Sequence, residues 1–189
     1  IRIDKMVTLR NQYLEFIDKH KLEADYLMVV DLDVAQLNLS GIESVFYKNV
    51  NWDAVCANGY SYSPKLYKRY HDSYALTQWG EERIPLTENM ILDHSKKFGK
   101  LSSNDEWIKI YSGFGGLSIY RFEAIKWLRY KLILNNDSRV EVKCEHFSIC
   151  DQMIQNGYSN IYLVPSLKLK YQSIDLKLIT KKIKEVCSC

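Results

Sequence analysis

The sequence predicts an α/β domain with a mainly parallel central sheet flanked by helices. Segments with apolar residues at helical spacing alternate along the chain with short apolar runs of strand character, the order of an α/β sandwich. One of those runs, Tyr26-Leu27-Met28-Val29-Val30, is apolar throughout, as strands covered on both faces of a parallel sheet are. The length of 189 residues, with 47% apolar and 26% charged content, fits one ordinary globular domain with a sizeable core.

The elements follow in order. Met6, Leu9, Tyr13, Phe16 and Ile17 recur at helical spacing and Asp4 suits an N-cap, so a helix is expected over 4–20. The apolar strand ending at Val30 comes next, then a short helix over 41–47 capped by Ser40. A second buried strand, 52–57, is ended by Asn58-Gly59. From Tyr60 to Leu86 the pattern becomes irregular, rich in Tyr and Ser and carrying Pro64 and Pro85, and so long an irregular stretch reads as functional. A helix over 88–98 precedes two strands, 107–112 and 116–120, joined by Gly113-Phe114-Gly115. A helix over 121–130, a strand over 140–144 and a helix over 147–155 stopped by Gly157 come next. A strand over 160–164, a short extended piece over 167–171 and a last helix from Ser173 complete the chain.

Composition excludes several classes. The net charge of +3 is small and the lysines are dispersed, so no nucleic-acid partner is expected. The lysines of 177–184 read as the wet face of a helix. No run approaches the roughly 18 apolar residues of a membrane span, and no signal peptide is visible. The chain opens on Ile1 and runs almost at once into a helical pattern, as a domain excised from a longer protein would. Its five cysteines, Cys56, Cys144, Cys150, Cys187 and Cys189, make no even framework, so free thiols in a reducing compartment are expected. The expected location is cytoplasmic, unless a targeting segment was removed.

The first strand stops at Asp31-Leu32-Asp33. Ligands of open α/β sheets bind beyond the carboxyl ends of strands, and residues i and i+2 of an extended segment point to one side. One Mn²⁺ or Mg²⁺ is therefore expected to engage both carboxylates and share a substrate's phosphates. The bland alternative is a pair of turn or cap residues. Arg10, on the first helix beside or opposite its apolar stripe, is either solvated or aimed at a phosphate or sugar. In Tyr70-His71-Asp72-Ser73, Asp72 either caps a turn or accepts hydrogen bonds from substrate hydroxyls; adjacent residues make no catalytic triad. The glycine-rich 111–117 lacks the G-K-[ST] ending of a phosphate loop. Its glycines suit a hairpin turn or the close approach of a ligand. Cys144-Glu145-His146 either caps a helix or offers an active-site carboxylate with a histidine beside a metal or phosphates. With Cys150 it lacks the paired spacing and fourth ligand of a zinc site.

These motifs and their order resemble the DxD glycosyltransferases of the GT-A (Rossmann-like) fold. The closest likeness is to fungal capsule-associated mannosyltransferases and the glycosyltransferase domains of large DNA viruses of algae and amoebae. The resemblance covers 4–172 and implies a metal-dependent transfer of a sugar from a UDP- or GDP-sugar to a glycan or glycoprotein acceptor. It implies that Asp31, Asp33 and His146 serve the metal, and that Arg10, Asp31, Gly115 and Gly116 bind the donor. Glu145 and Asp72 would be the catalytic carboxylates. Either both aspartates bind the ion, or Asp31 contacts ribose or sugar while Asp33 holds it. Such enzymes begin with a strand and loop that grip the base, a part this chain does not carry in front of its first helix. A non-catalytic glycan-binding domain and a metal-dependent nucleotidyltransferase are the alternatives.

Overall fold

The computed structural model describes residues 2–63 and 67–171. Pro64, the helix expected from Ser173, the lysines of 177–184, Cys187 and Cys189 lie outside the described residues. In chain order the elements are α1 (Arg2–Lys19), β1 (Tyr26–Val30), β2 (Gln36–Leu37), α2 (Leu39–Tyr47), β3 (Ala54–Tyr62), β4 (Lys68–Tyr70), α3 (Glu88–Gly99), β5 (Ile108–Lys109), β6 (Leu117–Arg121), α4 (Phe122–Ile125), α5 (Glu145–Gln155) and β7 (Ile161–Lys170). Among the described residues no helix is long and apolar enough to cross a membrane.

The strands form one sheet in the order β1-β6-β3-β7-β2, with β4 also on β3 and β5 also on β7. Among the described residues only β3 and β7 run parallel; the other pairings are antiparallel. The domain is α/β as expected, but its sheet is mixed, not mainly parallel. The apolar run of β1 misled because it does not lie between two neighbours. Among the described residues β1 pairs with β6 alone, and Tyr26 and Met28 are 43% and 49% exposed. Apolar character marks a strand, but the direction of its partner is set elsewhere in the chain.

The core follows from the alternation of β3. Ala54 and Cys56 face one side, where they meet Leu14 of α1 and Ile149, Cys150 and Met153 of α5. Val55 and Ala57 face the other, against Val45 of α2 and Ile119, Val164 and Leu167. Helices thus cover both faces. Asn58-Gly59 does not end β3: the register with β7 jumps there, from Ala57 opposite Val164 to Asn58 opposite Lys168. Pro165 of β7 falls inside that jump, where its missing N–H leaves no ladder bond unmade, and β7 continues as one strand through both expected pieces.

Other boundaries moved for local reasons. Asn38, not Ser40, caps α2, its side chain accepting from Gly41 N–H, and Thr87 does the same for α3. The helix begun at 121 stops after four residues, and Trp127 beyond it takes φ +70°. β5 and β6 are not a hairpin, since β5 pairs with β7 while β6 lies between β1 and β3. The strand expected over 140–144 is a loop with one bridge, Leu134 to Val142. Gly157, at φ +94°, closes α5 as expected.

The glycine loop before β6 is held against β3 at backbone contact. A Cβ on Gly115, where φ is +65°, would lie 1.8 Å from the Ala57 carbonyl oxygen; at Gly80, with φ +90°, it would meet nothing within 4 Å. Gly115→Ala should therefore cost more than about 3 kcal/mol or prevent folding, against about 1–2 kcal/mol for Gly80→Ala, which carries backbone strain alone. Urea unfolding of the two variants measures the difference.

Candidate active site

Helix α1 turns a different face inward than its most apolar stripe suggests. Leu9 and Phe16 are 57% and 56% exposed, whereas Leu14 and Arg10 are buried. The Arg10 guanidinium has two carboxylate partners. Its Nε donates to Glu145 Oε1 at 2.9 Å and its Nη2 to Asp31 Oδ1 at 3.1 Å. Its plane also lies over the Phe114 ring, 4.8 Å from the centroid. One side chain of α1 thereby joins the end of β1, the first residue of α5 and the glycine loop. Asp31 is held at the strand end by its own N–H, which donates to the Gly116 carbonyl. Glu145 is buried at the start of α5, where helix geometry favours negative charge.

A third carboxylate faces this pair. Asp72, half-buried in the turn after β4, accepts from Gly115 N–H at 3.2 Å. Burial pushes its pKa up to about 7, with the charges of Glu145 and Asp31 adding to the effect. Tyr171 donates to Asp31 Oδ2 at 3.0 Å and carries the His71 ring stacked on it at 3.6 Å. Burial and Arg69 lower the pKa of His71, although Asp33 and Asp31 pull in the other direction. His146 is stacked on Phe114 at 3.8 Å, is 1% exposed, and has no hydrogen-bond partner for either ring nitrogen. Burial and then Arg10 hold its pKa well below the ordinary value, so the ring is neutral. Its 3.6 Å approach to Glu145 is therefore neither an ion pair nor a hydrogen bond.

Arg10, Asp31, His71, Asp72, Glu145 and His146 line one cavity of about 400 Å³, with Phe114 and Tyr74. Of the residues expected to form a site, five thus come together: Arg10, Asp31, Asp72, Glu145 and His146. Gly115 and Gly116 do not line the cavity. They are buried behind it, and a Cβ on Gly116 would lie 2.2 Å from the Tyr171 hydroxyl, so these glycines serve packing and leave only their neighbours to face a ligand. Asp33 lies exposed in a turn at 32–33, not on an extended segment, so the same-side argument for the two aspartates does not apply. His71, Tyr171 and Phe114 are additions that sequence reasoning missed. His71 and Phe114 adjoin residues that it did single out and Tyr171 ends the short extended piece over 167–171, which was the available signal.

Asp31, Asp72 and Glu145 line the cavity together with Arg10 and Arg2, so the lining carries one net negative charge when Asp72 is ionised and none when it is protonated. Among the described residues no group of three or more His, Cys, Asp or Glu side chains is arranged to hold a metal, so Asp31, Asp33 and His146 are not assembled as one ligand set. The donor chemistry present is one or two hard carboxylates, which suits Mg²⁺ or Mn²⁺ completing its shell with water and phosphate. Compared with family models, curated proteins and solved structures, the chain matches none of them.

Two outcomes follow from these charges. Between about pH 4 and 7 the native state keeps the Asp72 proton that the unfolded chain has lost, so this group makes stability fall as pH rises through that window. Asp72→Asn should gain stability over the wild type progressively from pH 4 to 7 and hold a constant advantage above it, by several degrees in Tm. The contributions of His71 and His146 run in the opposite direction and cancel in the comparison. Arg10→Met, which strands Glu145 and Asp31, should cost about 3–5 kcal/mol, and adding Glu145→Gln should recover part of the loss in a double-mutant cycle.

Proposed function

We propose that the chain is a metal-dependent glycosyltransferase of GT-A type, moving a sugar from a UDP- or GDP-sugar to a glycan or glycoprotein acceptor. The observation that carries the reading is the convergence of Asp31, Asp72 and Glu145 on one cavity beyond the end of β1, with Asp33 exposed two residues from Asp31. Asp33, with or without Asp31, would hold Mn²⁺ or Mg²⁺; when bound, the ion offsets the charge of the departing diphosphate as a Lewis acid.

The chain's own residues divide the remaining work. Asp72, with a pKa near 7, is suited to take the proton of an acceptor hydroxyl at neutral pH. Glu145, paired with Arg10 and buried, is suited to stabilise positive charge developing on the sugar carbon. Phe114 and the His146 ring stacked on it form one wall of the cavity beside these carboxylates. The free buried thiols Cys56, Cys144 and Cys150 support a reducing, cytoplasmic setting.

The test is Mn²⁺-dependent release of nucleoside diphosphate from a panel of nucleotide sugars without acceptor. Wild type should release it slowly from one donor, and Asp33→Asn should abolish release. Asp72→Asn should lower transfer to an acceptor by about 10²–10⁴-fold while the donor still binds. No turnover and no thermal shift with any donor plus Mn²⁺ would overturn the proposal.

A further inference from the structure

A second and larger cavity, of about 620 Å³, lies on the other side of the chain segment that carries Glu145. Lys143 and Phe147 line it, while the intervening Cys144, Glu145 and His146 line the first cavity. The start of α5 is therefore a wall shared by both. The volume falls within the range of about 300–1,000 Å³ usual for small-molecule sites.

The lining combines a fixed carboxylate and an amide with exposed apolar side chains. Phe147, Asp151 and Gln155 follow at i, i+4 and i+8 on one face of α5. Tyr111 stacks on Phe147 at 5.5 Å, directs its hydroxyl to Asp151 Oδ1 and carries Trp79 edge-on at 5.1 Å. Gln155 Nε2 donates to Asp151 Oδ2 at 2.8 Å, so the carboxylate is fixed in place between the ring and the amide. Lys143 sits 4.0 Å over the Phe147 ring, tied to the Glu82 carbonyl. Across the opening, Ile84 and Leu134 are 49% and 76% exposed, offering apolar contact. Glu82 and Asp151 balance Arg83 and Lys143. A lining without net charge offers a phosphate or a polyanion no surplus of positive charge, while the exposed Ile84 and Leu134 suit the apolar face of a sugar and the Asp151 carboxylate and Gln155 amide suit its hydroxyls; the Tyr111 and Phe147 rings, 7% and 6% exposed, are the buried floor beneath them.

We propose that this cavity binds a neutral oligosaccharide and is the subsite that holds the acceptor chain; its role as acceptor site rests on the glycosyltransferase reading. Saturation-transfer NMR without donor, using mannobiose, chitobiose, lactose, cellobiose and maltose, tests it directly. At least one disaccharide should receive saturation from the wild-type protein. Arg83→Ala, an exposed change that leaves the fold intact, and Asp151→Ala should each weaken that binding by about tenfold or more. Mn²⁺-dependent donor hydrolysis should stay within about twofold of wild type in both, since neither residue lines the first cavity. No saturation transfer with any disaccharide, or transfer unchanged in both variants, overturns the subsite. Donor hydrolysis that persists beside that result leaves the proposed chemistry standing, whereas disaccharide binding without any donor hydrolysis keeps the sugar site and removes the acceptor role.

Discussion

A single buried guanidinium organises this molecule. Arg10 touches the end of β1, the first residue of α5 and the glycine loop together. Burial opposes its charge, and the carboxylates of Glu145 and Asp31 outweigh that opposition, so its pKa rises and it stays ionised. A buried pair of this kind adds little net stability, because desolvation cancels most of the attraction. Its effect is positional. The two carboxylates are expensive to leave unpaired, so α1 must dock in the one register that brings Arg10 to both.

The second constraint is backbone against backbone. Gly59 and Gly115 allow β3 and the glycine loop to approach so closely that a Cβ at either position would overlap a carbonyl oxygen. That contact places Gly115 N–H on Asp72, and Tyr171, packed on Gly116, on Asp31. The shape of the core and the electrostatics of the cavity are therefore one problem. The packing that half-buries Asp72 raises its pKa toward neutrality, with the charges of Glu145 and Asp31 adding to the effect and the Gly115 N–H working against it.

The residues that were legible in the sequence were those whose chemistry is costly to misplace. Arg10, Asp31, Asp72, Glu145 and His146, spread over the chain, do line one cavity. Helices α1, α3 and α5 were readable from periodicity and stops, Gly157 among them. Strand direction was not, because Tyr26–Val30 reads the same whether its neighbour is parallel or antiparallel. Nor was the reach of β3 and β7: Asn58-Gly59 and Pro165 look like breaks, and they compensate one another across a register jump. The glycines were read as room for a ligand, but the space they leave is filled by Ala57 and Tyr171. Local patterns report what a segment can tolerate; only its neighbours decide how that tolerance is used.

The hydrogen bonds at Asp31 separate the two aspartates. Both of its oxygens already accept, one from Arg10 and the other from Tyr171, so the protein itself orients this carboxylate. Asp33 lies exposed two residues on, close enough to His71 to act on its charge, and the described residues give its carboxylate no hydrogen bond. A divalent cation binds the ligand that loses least in turning to it. Under the proposed function Asp33 is then the primary metal ligand. Asp31, fixed by Arg10 and Tyr171, presents a rigid acceptor to ribose or sugar hydroxyls. That division accounts for the absence of a converging ligand set among the described residues: one carboxylate and the donor's own diphosphate would complete the site together.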